Sequence, residues 1–185
     1  MKSMLQLQRV ISKRSQLNDV CVSCTPPEDD DLTFATTEHW KVVLHPDQTV
    51  PGALLLTSIR HVPKISRLTA AESAEWFLLF NAIETTLEQL HGAAMINASC
   101  ERNWAYRSQD PDPPVLDGKP NPHVHWHIAP RYDRAVHIGD ETFEDVDFGN
   151  PLRWRARRPA SSTRNVLIDG LFGLLSTQPG VTSGP

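Results

Sequence analysis

Hydrophobic and polar positions along the chain fall into stretches of two different periods. Leu32-Thr-Phe-Ala-Thr-Thr37 and Trp40-Lys-Val-Val-Leu44 alternate or run apolar, as strands do. Pro51-Gly52 then turns the chain. Ala53-Leu-Leu-Leu-Thr-Ser-Ile59 is too short for a helix and reads as a buried strand that begins a meander. From residue 69 the period changes. Trp76, Leu79, Phe80, Ile83, Leu87 and Leu90 recur at three- and four-residue steps, Thr69 with Glu72 makes a capping box, and Gly92 ends the helix. This helix, 69–91, is expected to cover one face of the sheet by itself, because no other segment is as long and amphipathic. Residues 94–100 restart a strand, a Pro/Asp-rich loop runs from about 108 to 122, and His123–Pro130 is the next strand. Beyond Tyr132 the pattern weakens, leaving a final helix over 162–176 and a Gly/Ser/Pro end expected to be disordered. The fold class is α+β, an antiparallel sheet of about five strands with one main helix packed on it.

Composition narrows the class. The 185 residues fit one domain able to bury a core without disulfide staples. The organisation expected is an N-terminal extension over 1–19, a domain over 20–150, and a partly disordered C-terminal extension over 151–185. Fifteen prolines, about 8% against a usual 5%, crowd into a few segments that read as loops or tails, among them the acidic loop Pro26–Asp31. A net charge of −4 offers no basic field for a nucleic-acid backbone, so dedicated nucleic-acid binding is disfavoured, and the basic run 153–158 reads as a solvated segment or a phosphate contact. No apolar stretch is long enough for a membrane span and residues 1–20 lack a signal peptide's apolar centre, so the expected location is cytoplasmic. The alternative is mitochondrial, because residues 1–18 carry Lys2, Arg9, Lys13 and Arg14 without an acid. Of three cysteines, Cys21 and Cys24 form a C-x-x-C, which in a reducing compartment points to metal or redox chemistry, and Cys100 reads as a small buried hydrophobe.

The chemistry concentrates in His123-Val-His125-Trp-His127-Ile-Ala-Pro130. On a strand, the two-residue period puts three imidazoles on one face and Val124, Trp126 and Ile128 on the other. Backbone-satisfied histidines are the ordinary reading for one His and a poor one for three in a row. Two functional readings remain. Three imidazoles can hold a catalytic zinc with an open position for water. Alternatively, one imidazole attacks phosphorus while a neighbour fixes its tautomer or protonates the departing oxygen. No H-E-x-x-H, P-loop lysine or Asp-rich magnesium motif accompanies the triad, which favours the nucleophile.

His123-Val-His-Trp-His-Ile-Ala-Pro-Arg-Tyr132 resembles the histidine triad pattern, His-φ-His-φ-His-φ-φ with φ apolar. Upstream, Trp40-Lys-Val-Val-Leu, Pro51-Gly-Ala-Leu-Leu-Leu, Arg60-His61-Val and Leu68-Thr-Ala-Ala-Glu72 are similar to that family's order of strand, turn, strand, K-x-H and helix. The resemblance covers about 20 to 132. It implies a histidine triad fold and an enzyme that hydrolyses or transfers nucleoside monophosphate groups, with adenine nucleotides as substrates and no cofactor needed for the chemistry. By this similarity His125 is the nucleophile, forming a nucleotidyl-histidine intermediate. His127 contacts the phosphate and the departing group, and His123 belongs to the network that fixes the nucleophile's tautomer. Arg131 is read either as a phosphate clamp or as a solvated strand end. Where many members carry Gln or Ser before the triad, this chain has Lys119-Pro-Asn121-Pro122, so Asn121 is the candidate substitute. Asn97 resembles the family's Asn near the site, with a strand-end cap as its other reading. His127 occupies the place of the glutamine of galactose-1-phosphate uridylyltransferases, which disfavours sugar-nucleotide exchange.

Some relatives bind a structural zinc, and the matching set here is Cys21, Cys24, His61 and His123, chemically sound as Cys2His2; two free thiols at a buried strand start are the other reading. Homodimers that pair across an edge strand are common in the family. Two rivals to the nucleophile reading stand beside it: a zinc-dependent hydrolase with the triad as ligands, and a catalytically idle nucleotide-binding module.

Overall fold

A computed structural model describes Cys21, Cys24 and residues 32–178 and 180–184. The N-terminal extension with its presequence reading, and the acidic loop Pro26–Asp31, lie outside the described residues. Among the described residues eight strands and two α-helices follow in chain order: β1 Thr33–Thr36, β2 Trp40–Leu44, β3 Leu54–Ser58, α1 Ala70–His91, β4 Met95–Ser99, β5 His125–Arg131, β6 Val136–Ile138, β7 Glu141–Phe143, α2 Ser161–Leu175 and β8 Thr182–Ser183. Six strands form one antiparallel sheet in the order β4-β5-β3-β2-β1-β8, and β6 and β7 form a separate hairpin. The sixth strand of the main sheet is β8, which comes from the Gly/Ser/Pro end expected to be disordered and pairs Ser183 and Thr182 with Ala35 and Thr36.

The α1 helix begins and ends as its sequence specifies. The Thr69 hydroxyl accepts from the Glu72 amide while the Glu72 carboxylate accepts from the Thr69 amide, and Gly92 takes the left-handed conformation, φ 66°, that closes the last turn. Arg60 adds two 2.8 Å hydrogen bonds to the Glu72 carboxylate and thereby helps to hold it at about 2, well below the usual range. Leu79, Ile83 and Leu87 are buried, whereas Trp76, Phe80 and Leu90 are only partly so. The expectation that α1 covers the sheet alone needs correcting. Leu167, Leu171 and Leu175 of α2 are completely buried in the same core, and Gly170 faces Leu90 closely enough to bring the two helices together.

Strand register sorts side chains into two faces. Trp40, Val42 and Leu44 of β2, Leu54 and Leu56 of β3, and Ile128 of β5 are buried in the core. Each contributes about 1.5–3 kcal/mol of hydrophobic stabilisation when fully buried. Trp126 meets Trp76 of α1 at 4.6 Å between rings, and Trp40 donates its indole N–H to the Glu72 carbonyl at 2.9 Å, so this is the helix-covered face. On the opposite face, Leu55 pairs with His127 and Thr57 with His125. Sheet register therefore sets two histidines side by side on the face turned away from α1. Among the described residues no helix is long and apolar enough to cross a membrane.

Candidate active site

The strand expected to start at His123 starts at His125. The preceding two residues remain tied to the sheet, with the Val124 amide donating to Val62 and the Val124 carbonyl accepting from Ser58. The His123 ring turns away from its two partners. It is buried, its Nε2–H donates to the Ser58 carbonyl at 2.7 Å, and Nδ1 is left facing Cys21 Sγ at 3.2 Å and Cys24 Sγ at 3.4 Å. His61 Nδ1 lies 3.3 Å from Cys24 Sγ, and the four ligand atoms of Cys21, Cys24, His61 and His123 lie within 4.8 Å of one another. Metal–sulfur and metal–nitrogen bonds of about 2.3 and 2.0 Å in a tetrahedron set the ligand atoms about 3.3–3.8 Å apart, close to the sulfur–nitrogen contacts found here. The donor set fits a metal ion, and the His123–Ser58 bond supplies the outer hydrogen bond that orients a ligating imidazole. A shared hydrogen bond pushes the Cys21 thiol down and the Cys24 thiol up.

His125 and His127 face a cavity of about 470 Å³. The Nδ1–H of His125 donates to the carbonyl of His123 at 2.9 Å, and because a carbonyl only accepts, the neutral ring keeps its lone pair on Nε2. His127 lies 5.1 Å from His125 and 5.3 Å from His45, ring to ring, and its buried Nδ1 has no partner among the described residues. Burial lowers His125, and burial with the neighbouring His125 and His45 lowers His127 to about 4, so both rings are neutral at pH 7. The three triad rings do not form one metal-binding group among the described residues, because the first is committed to the thiols. That arrangement removes the geometric basis for a zinc held by all three.

Other expected residues lie elsewhere. Arg131 is neither a phosphate clamp nor a solvated strand end. It is 1% exposed, and its guanidinium makes bonds of 2.6 and 3.1 Å to Asp145 and one of 2.9 Å to the Asn150 carbonyl, tying β5 to the segment after β7. Asn97 sits exposed on the edge strand β4, opposite Ala129, and is not part of the cavity wall. Asn121 is buried with an unpaired side-chain nitrogen and also stands outside that wall. Sequence reasoning missed His45, which stacks on Trp154 at 4.4 Å and nearly parallel, and Trp104, which also lines the cavity. The basic run 153–158, read as solvated or a phosphate contact, contributes Trp154, Ala156 and Arg158 to the cavity.

Comparison with known structures defines the class first. The fold is that of histidine triad proteins. A hypothetical histidine triad nucleotide-binding protein from Sulfolobus tokodaii superposes with TM-score 0.59 at 11% identity over 85% of this chain and 93% of that one. A zinc-bound histidine triad family protein from Mycobacterium smegmatis gives 0.55 at 18% identity over 87% and 99%. The more particular likeness is to the bis(5'-adenosyl)-triphosphatase of Saccharomyces cerevisiae, 30% identical over 114 residues, 59% of this chain and 50% of that protein. The chain thus spans about half the length of that relative. No protein-family model matches the chain. The resemblance read from the triad motif is shown by this fold and this match together.

Proposed function

We propose that this chain is a histidine triad nucleotide hydrolase or nucleotidyl transferase acting at the α-phosphate of a nucleotide derivative, with a dinucleoside polyphosphate as the substrate class. The observation that carries the reading is the His125 ring, fixed by the His123 carbonyl so that a neutral Nε2 lone pair is presented at a cavity shared with His127. The likeness to a bis(5'-adenosyl)-triphosphatase supports the substrate class.

In the first step the Nε2 lone pair forms a bond to the α-phosphorus. The bond from phosphorus to the bridging oxygen breaks, and its electron pair leaves with that oxygen. His127, adjacent on the same face, contacts the phosphate and hydrogen-bonds the departing oxygen. An anionic phosphate beside it raises its affinity for a proton from the low value of the free site. In the second step a water oxygen bonds to phosphorus as His127 takes the water's proton, the P–N bond breaks, and the electron pair returns to Nε2. A nucleotide acceptor in place of water makes the same step a transfer.

The Cys21, Cys24, His61 and His123 set would hold a structural zinc, since two thiols and two imidazoles at these separations suit that ion and leave no open coordination position. When bound, the ion supplies folding energy and fixes the chain at His123, whose carbonyl orients His125. The exposed edge strand β4 supports a homodimer paired across it.

A panel of dinucleoside polyphosphates, nucleoside phosphoramidates and nucleotide sugars, scored by product mass, tests the reading. Release of a nucleoside monophosphate from the first class is expected. Binding without turnover of any member indicates the idle binding module instead, and activity lost on chelation while the fold persists indicates a catalytic metal.

A further inference from the structure

The C-x-x-C pair has a chemistry that a fixed set of metal ligands leaves unused. The Cys24 amide donates to the Cys21 carbonyl at 2.9 Å, and the turn so formed brings both sulfurs to one nitrogen, His123 Nδ1, at 3.2 Å and 3.4 Å. A turn closed this way holds its end Cα atoms within about 7 Å, close to the range a disulfide spans, and the two sulfurs already lie within 4.8 Å of each other. Rotation of the two side chains is enough to join them. Cys21 is buried and Cys24 only half-buried, so a reagent in solution meets Cys24 first. The third cysteine, Cys100, stands outside the cluster.

The pair and the cavity share one residue. The cluster holds His123 at Nδ1, the Ser58 carbonyl holds it at Nε2, and its own carbonyl accepts from the His125 Nδ1–H at 2.9 Å. The next amide, Val124, donates to the Val62 carbonyl at 2.8 Å, and Val62 follows His61, whose Nδ1 lies 3.3 Å from Cys24 Sγ. The cluster thus grips both backbone segments that this bond joins. A disulfide is neither a thiolate ligand nor a thiol donor, so closing it takes the sulfur partners from both imidazoles. The His61 Nε2 is already buried without a partner among the described residues, and its ring would then have none at either nitrogen.

We propose that Cys21 and Cys24 form a reversible thiol–disulfide switch, in which a small-molecule disulfide of the glutathione class oxidises the pair, the bound metal is released, and turnover falls because the relaxed His123 carbonyl no longer fixes His125. The Cys24 sulfur bonds to one sulfur of the reagent, whose S–S bond breaks, and one reagent thiolate leaves with that electron pair. The Cys21 sulfur then bonds to Cys24, and the second reagent thiolate leaves. The pair loses two electrons, the reagent gains two, and each departing thiolate takes a proton. This adds a regulation to the site described above, and only its turnover arm rests on the hydrolase reading.

The full chain, loaded with zinc, is exposed to a large excess of glutathione disulfide. Four readouts are followed: disulfides mapped by peptide mass, zinc captured by a chromophoric chelator, hydrogen exchange of the peptide covering residues 121–127, and kcat with diadenosine triphosphate. A Cys21–Cys24 link is expected, with one zinc released per link, exchange at Val124 at least tenfold faster and kcat at least fivefold lower. Dithiothreitol with added zinc is expected to reverse all four, a recovery that irreversible unfolding does not give. Cys100→Ser, which leaves the pair as the only thiols, is expected to respond in the same way. A pair that stays reduced, a reduced chain that binds no zinc, zinc retained after the link has formed, or a link that leaves exchange or kcat within twofold overturns the switch. Turnover of no substrate in either state, with the link, the zinc release and the faster exchange all present, overturns the hydrolase reading and leaves the switch standing.

Discussion

The segment from His123 to His127 serves two regions that share little beyond imidazole. At its start, a buried ring is held between two thiols and the Ser58 carbonyl, with His61 alongside. Two residues later, His125 spends one nitrogen on the backbone and leaves the other at a cavity. The strand period spaces the rings, but their neighbours decide what each can do. Thiols within 3.4 Å suit the first ring to holding a metal, whereas a lone carbonyl acceptor fixes the second ring's tautomer and suits it to the proposed attack on phosphorus. The regions are also linked, because the residue whose ring enters the cluster provides the carbonyl that orients His125.

The largest expected effect belongs to the cavity. His125→Ala should lower kcat by at least about 10⁴-fold, the scale of losing a covalent nucleophile, while nucleotide affinity measured by calorimetry changes little. Equal loss of binding and rate would erase the distinction between the two regions. Next comes the cluster. Cys21→Ser should lose bound zinc and destabilise the fold by about 3 kcal/mol, comparable with removing a ligand present at a hundred times its Kd, as read by metal analysis and denaturant unfolding. Its kcat should fall far less than that of His125→Ala, because the nucleophile itself remains.

A smaller effect distinguishes the rings by pH. Both cavity imidazoles are pushed below 6.5, His127 to about 4; the attacking lone pair belongs to His125, so the acid limb of kcat/KM, where protonation removes that lone pair, should lie below 6.5. An acid limb centred at 6.5 contradicts this. The same shift has a stability consequence. The unfolded chain takes up a proton at His127 before the folded chain does, so folding free energy drops as pH falls from about 6.5 to about 4. The smallest effect lies outside both regions. Thr69→Ala removes a helix cap and should cost about 1 kcal/mol in unfolding experiments without altering kcat. Glu72 beside it, held at about 2, contributes stability that is present above 4.5 and lost as pH falls toward 2.

Much of the scaffold was legible because its signals are local. The capping box at Thr69, the left-handed Gly92 and the alternation around Trp126 each act within a few residues, and the structure keeps all three. The Cys21, Cys24, His61 and His123 set was legible through resemblance to the histidine triad pattern, and those four side chains do come together. What escaped depends on distant segments. His45 lines the cavity between His127 and Trp154, and Trp154 lies more than a hundred residues later in the chain. Arg131 looked available at a strand end, but the hairpin β6–β7 returns the chain so that Asp145 reaches its guanidinium. Thr182 and Ser183 carry no strand signal of their own and are ordered by the open edge of β1.

The central claim is a transient bond between one nitrogen and phosphorus. The full chain, mixed with a dinucleoside triphosphate, is quenched within the first turnover under conditions that spare phosphoramidates, and its peptides are mapped by mass. The account predicts a nucleoside monophosphate adduct on His125 that appears before product and is absent from His125→Ala. Steady turnover with no adduct at any quench time, or an adduct on another residue, contradicts it.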